Sequence, residues 1–172
     1  NKTIETCLHE VLDVFYRPEL GLIVENVTTD NQLSDTFAGR HMNPGHAIEA
    51  MWFCMDLGVR LGRKDIIDKA VDITLKMLEY GWDKEYDGIF YFMDRLGRPP
   101  LELEWDQKLW WVHIETLISL IKGYRLTGRK DCFDWFEKVH DYVWTHFKDA
   151  EADEWFGYLN RRGEVLIPLK GG

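Results

Sequence analysis

The sequence is short of cysteine, of basic residues and of long apolar runs, and each shortage removes a class of protein. Its three cysteines, Cys7, Cys54 and Cys132, lie far apart in apolar helical patterns. An odd, scattered set excludes a disulfide framework and a thiolate metal cluster, and predicts reduced core residues. Lysine and arginine total 21 against 30 acidic residues, leaving a net charge of −9, and they form no stripe. A nucleic-acid partner is excluded on that ground, because phosphate contacts need clustered positive charge. No apolar run approaches the roughly 18 residues of a membrane span, and no charged-then-apolar leader opens the chain. A cytoplasmic location without a membrane partner is expected. The sequence also has no H-E-x-x-H helix, no glycine-rich phosphate loop and no serine nucleophile elbow, and a metal site is not expected.

What is present is apolar and aromatic. A chain of 172 residues with 45% hydrophobic content has the material for one domain with a real core. Eight Trp, seven Tyr and nine Phe make up 14% of it. Flat rings flanked by carboxylates and amides suit a pyranose, whose C–H face is apolar and whose rim is polar. A large aromatic core would use the same residues, and composition does not choose between the two.

Apolar positions at helical spacing run from Asn1 to about Arg17, where Pro18 stops the helix. Residues 21–29 have short β character, and a polar stretch then delivers the chain to Asn43. Helices are predicted from Pro44 to about Leu61, Lys64 to about Tyr80, Leu109 to about Leu126, and Lys130 to about Phe147. The first and third are apolar on more than one side and read as walled in; the second and fourth are amphipathic and read as an outer layer. Gly88–Phe92 with the Gly97-Arg-Pro-Pro turn reads as a small hairpin, and residues 149–168 repeat that theme. His46 and His113 are 67 residues apart, and each block holds a buried helix, an amphipathic helix and a hairpin. Such a period means stacked helical hairpins, and helices apolar all round need a closed double ring rather than an open solenoid.

The chemistry concentrates where the buried helices begin. Asn43 is a good N-cap and Pro44 suits the first helical position, which puts His46 in the first turn with Glu49 on the same face. The positive end of the helix dipole would hold His46 neutral and able to take a proton. A satisfied structural histidine near a cap is the competing reading. One period later comes Lys108-Leu-Trp-Trp-Val-His-Ile-Glu115. His113 and Glu115 are two apart, about 200° around a helix, so both cannot face one point. Trp111 and Glu115, four apart, share a face. Core packing is the alternative for either Trp110 or Trp111, because adjacent tryptophans point in different directions.

The segments P-G-H-A-I-E-A-M-W-F, K-L-W-W-V-H-I-E-T, and E-W-F-G-Y-L-N-R-R-G followed by K-G-G resemble the N-acylglucosamine 2-epimerase family. The resemblance implies an all-α fold, an (α/α)6 toroid of about six helical pairs with the sugar pocket at one end. This chain would be roughly its C-terminal half, residues 1–172 forming one incomplete domain. It implies interconversion of N-acetylglucosamine and N-acetylmannosamine by proton transfer at C2, with cellobiose epimerases and other sugar isomerases as sister activities. Carried over by residue, His46 and Glu115 are the catalytic candidates, and Glu49, Trp111 and His113 are the substrate-binding candidates. His113 and the Glu154–Tyr158 block favour the acylglucosamine branch over the cellobiose one, whereas Val112 departs from the Pro often found there. A second catalytic histidine would follow the K-G-G block, and a sugar-binding arginine would precede this chain. No cofactor is implied, although some members respond to ATP as an effector. The expected partners are a small sugar and, because an opened ring exposes apolar inner faces, a second copy in a homodimer. A non-catalytic interaction protein is the reading from a different class.

Overall fold

The computed structural model describes residues 2–171. Four long helices dominate it: α3 (Pro44–Leu61), α4 (Lys64–Gly81), α5 (Trp110–Thr127) and α6 (Lys130–His146). They are preceded by α1 (Lys2–His9), which runs into a π-helical segment over Glu10–Phe15, and by the short α2 (Phe37–Arg40). The strands are small: β1 (Tyr16–Arg17), β2 (Leu22–Ile23), β3 (His41–Met42), β4 (Met93–Asp94), β5 (Lys108–Leu109), β6 (Phe156–Leu159) and β7 (Val165–Lys170).

The helices end where their chemistry says they should. Asn43 caps α3 ahead of Pro44, and Gly62 closes it at φ 67°, the left-handed conformation glycine adopts without strain. Gly128 closes α5 in the same way. The first helix differs from the reading of one helix to Arg17. It widens into π geometry after His9, and Tyr16 and Arg17 leave it to pair with Ile23 and Leu22. Asn1 lies outside the described residues.

α3 packs on α4 and α5, and α5 packs on α6 and α4, so two helical hairpins lie side by side with α3 and α5 adjacent. Ile48, Met51 and Met55 of α3 meet Val71, Met77 and Leu78 of α4 in one core, all fully buried. The buried stripe of α5 is partly polar. Ser119 shares a hydrogen bond with Thr74 at 3.0 Å, Thr116 donates to the Val112 carbonyl, and Gly123 lets Val71 and Cys132 approach closely.

Neither α3 nor α5 is walled in. Phe53 is 48% and Val59 54% exposed on α3, while Ile114, Leu117, Ile118 and Ile121 are only partly buried on α5. Cys54 and Cys132 are buried and free as expected, whereas Cys7 is exposed.

The hairpin expected over Gly88–Phe92 does not close on itself. Ile89 bridges to Trp82, and β4 crosses to pair with β3, where buried Asp94 accepts from Arg40 Nε at 2.8 Å. A buried ion pair outcompetes the local turn. The later hairpin forms as β6–β7 through a turn at residues 160–163, and β5 adds to its other side.

Candidate active site

The mouth of α3 is assembled by its cap. Asn43 Oδ1 accepts the His46 backbone N–H at 3.1 Å, which fixes the first turn and aims the imidazole outward. The His46 side chain is 55% exposed. Its Nδ1 lies 3.2 Å from Glu25 Oε2, and its ring centroid lies 5.4 Å from that of Trp111. Trp111 reaches across from α5 because Gly45 has no side chain: a Cβ there would stand 2.9 Å from the indole. Tyr91 meets the same indole edge-on at 6.3 Å.

Two carboxylates share this space. Glu49, one turn along α3, is held above the usual carboxylate range by burial first and then by the charge of Glu115, with His46 pulling the other way. Glu115 accepts a hydrogen bond from Trp52 Nε1 at 2.6 Å, which ties the first turns of α5 to the side of α3. The structure therefore brings His46, Glu49, Trp111 and Glu115 to one place.

His46 does not have the lowered proton affinity expected of a helix N-terminus. The hydrogen bond to Glu25 raises its pKa; burial opposes this, and the charges of Glu25 and Glu49 add to it. Two carboxylates at short range outweigh half a unit of dipole charge. Glu25 was not legible as a site residue, because it stands 21 positions from His46 in a stretch with no motif. Tyr91 was hidden in the same way.

His113 is placed elsewhere. It is fully buried, with Nε2 accepting the Ile89 N–H at 3.0 Å, so the proton is on Nδ1, which donates to the Leu109 carbonyl at 2.7 Å. Tyr142 stacks on it at 5.3 Å and Phe147 closes the other side. Burial pushes its pKa down to about 3. With Glu115 turned to the mouth, the 200° offset sends His113 into the core, where it braces the residue 82–90 loop against α5.

Trp110 points away from the cluster, toward Gly171. It lines a separate concavity of about 440 Å³ with Trp144, Glu154 and Trp155, and none of the four clustered residues borders it. Among the described residues, no group of three or more His, Cys, Asp or Glu is placed to hold a metal ion. No described helix is long and apolar enough to cross a membrane.

Helical hairpins side by side, with histidine, carboxylates and indole gathered where the adjacent helices α3 and α5 begin, define part of an (α/α) toroid. Solved structures share that fold. A D-mannose isomerase matches with a TM-score of 0.78 and 18% identity, over 95% of this chain and 41% of the isomerase. The cellobiose 2-epimerase of Bacillus thermoamylovorans matches with a TM-score of 0.78 and 17% identity, over 98% of this chain and 41% of the epimerase. The sequence model of the N-acylglucosamine 2-epimerase family matches residues 2–172, and the chain belongs to that family. The N-acylglucosamine 2-epimerase of Mus musculus is 41% identical over 170 residues, which are 96% of this chain and 40% of the mouse protein. The chain thus spans about 40% of the length of the curated relative it matches.

Proposed function

We propose that this chain supplies one half of the site of an N-acylglucosamine 2-epimerase, an isomerase that interconverts N-acetylglucosamine and N-acetylmannosamine. The observation that carries the reading is the seating of His46: an exposed imidazole with a carboxylate on Nδ1, an indole beside it, the Glu49 charge acting on it, and Glu115 next to Glu49. The C–H face of a hexosamine would lie on Trp111, and the carboxylates of Glu49 and Glu115 would meet its hydroxyl rim.

The chemistry needs an acid and a base more than anything else. The open-chain sugar has an aldehyde at C1, which acidifies the hydrogen at C2. His46 Nε2 takes that proton, the C–H electron pair moves to form the C1–C2 double bond, and the carbonyl pair moves onto O1 to give an enolate that keeps the acetamido group on C2. Return of a proton to the opposite face of C2 inverts the centre, and the electrons move back. Inversion requires a second acid on that face, the role the family pattern gives to a histidine beyond Gly172. Glu49, whose proton affinity is raised by burial and by the charge of Glu115, is suited to moving protons at O1 and O5, and Glu115 to orienting the sugar. Substrate and product differ only in the configuration at C2, so the reaction involves no net change of oxidation state.

The test is proton exchange. Full-length protein incubated with N-acetylmannosamine in deuterated water should place deuterium at C2 and produce N-acetylglucosamine. Exchange with mannose or cellobiose instead would move the assignment to a sister epimerase or isomerase. No exchange with any of them, in folded protein, would leave a sugar-free interaction role. On this reading the protein works in solution and acts on a small sugar, with the cytoplasm as its compartment and a homodimer as its assembly.

A further inference from the structure

We propose that Glu25 is the positioning residue of His46, keeping the imidazole proton on Nδ1 so that Nε2 faces the open mouth as the base. The inference rests on the reading of His46 as the residue that works at C2.

Glu25 is far from His46 in sequence but its place is well determined. Val24, on one side, is 1% exposed and donates its N–H to the Phe15 carbonyl at 3.1 Å. Asn26, on the other, donates from Nδ2 to the Ala38 carbonyl at 3.0 Å. The carboxylate between them is only 22% exposed, against 55% for the histidine it meets. Trp111 limits the ring from its other side. Among the described residues Nε2 has no hydrogen-bond partner, and it is the nitrogen left open on a side chain that is 55% exposed.

A carboxylate on Nδ1 does two things to an imidazole. It selects the tautomer protonated there, and it stabilises the imidazolium that forms when Nε2 takes a proton. The other charges near His46 are Glu49, on its own helix, and Glu115, which reaches Glu49 from α5. Neither is hydrogen-bonded to Nδ1, whose partner is Glu25. Among the described residues, Glu25 is the group whose hydrogen bond fixes which ring nitrogen carries the proton.

The experiment uses full-length protein and two readouts. NMR titration of the His46 ring, assigned with His46→Gln, measures proton affinity without turnover; deuterium exchange at C2 of N-acetylmannosamine measures the reaction. In Glu25→Gln the His46 midpoint should fall and the acid limb of kcat/KM should move to lower pH with it. The kcat should drop about ten- to a hundredfold, with KM changing less than about twofold. Glu25→Asp should recover part of the loss. An unchanged His46 titration in folded Glu25→Gln, or an unchanged kcat and acid limb, overturns the inference. Undiminished exchange in His46→Gln instead overturns the reading of His46, and with it the role of Glu25. The two failures are therefore separate.

Discussion

Two histidines one repeat apart show how little a residue's type says about its work. His46 stands in the open with one nitrogen free; His113 is sealed in the core with both nitrogens used. The first should be expendable for stability and essential for exchange. His46→Ala is expected to abolish C2 deuteration while changing unfolding free energy by no more than about 0.5 kcal/mol, the usual range for an exposed site. A circular-dichroism melt beside the exchange assay checks both halves.

The second should behave in the opposite way. His113→Gln is expected to cost about 1–3 kcal/mol, because the Ile89 N–H or the Leu109 carbonyl loses its partner in a dry site. Its pH dependence has a definite sign. The folded pKa, about 3, lies below the ordinary 6.5, so between those values the unfolded chain binds the proton that the folded one refuses. Neutral His113 therefore stabilises fully above about pH 6.5, and that contribution is lost as pH falls toward 3, at up to about 1.4 kcal/mol per pH unit. Urea unfolding across this window should show a shallower acid loss in His113→Gln than in the wild type.

At the scale of elements, the site depends on how closely α3 and α5 approach. Gly45 sits in the first turn of α3, against Trp111 Cη2 and Val112 Cγ2, each 2.9 Å from where a Cβ would be. Alanine is the better helix former, yet here the clash should win. Gly45→Ala is expected to destabilise by about 1–3 kcal/mol, and to shift tryptophan fluorescence as the indole is pushed off His46.

The entry to α5 is held by a buried charge cluster. Lys108, fully buried, lies 3.1 Å from Asp83, and Arg161 Nε donates to the same Asp83 oxygen at 2.8 Å. Burial would raise the Asp83 pKa, but Arg161, the Glu85 N–H and Lys108 outweigh it and hold it at about 2. Burial lowers the Lys108 pKa to about 8 against the pull of Asp83. The cluster joins the end of α4, the strand before α5 and the β6–β7 turn. Asp83→Asn strands a buried ammonium, and chemical denaturation should show a loss of about 3–5 kcal/mol.

Over the whole molecule, what stands out is the apolar surface left uncovered. Phe53 and Val59 on α3 are about half exposed, and Val165, Leu166, Ile167 and Leu169 of β7 are 39–58% exposed along one edge strand. Surfaces of this kind favour association. The 172-residue chain alone is expected to sediment as a concentration-dependent oligomer; a clean monomer across the micromolar range would contradict that.

The sequence by itself determined the helical hairpins, their caps at Asn43 and Gly62, the 67-residue repeat and the family, because periodicity, capping chemistry and motif blocks are local properties of the chain. It also placed His46, Glu49, Trp111 and Glu115 at the starts of adjacent helices. Tertiary structure alone decided the rest. Glu25 became the partner of His46 through a loop anchored by Val24 and Asn26; β4 chose β3 over its own hairpin because Asp94 meets Arg40 in the interior; His113 went inward once Glu115 faced out. Each of these turns on which of several polar groups loses its water and finds a partner across the fold. That choice depends on contacts between residues distant in the chain, where linear patterning carries no signal.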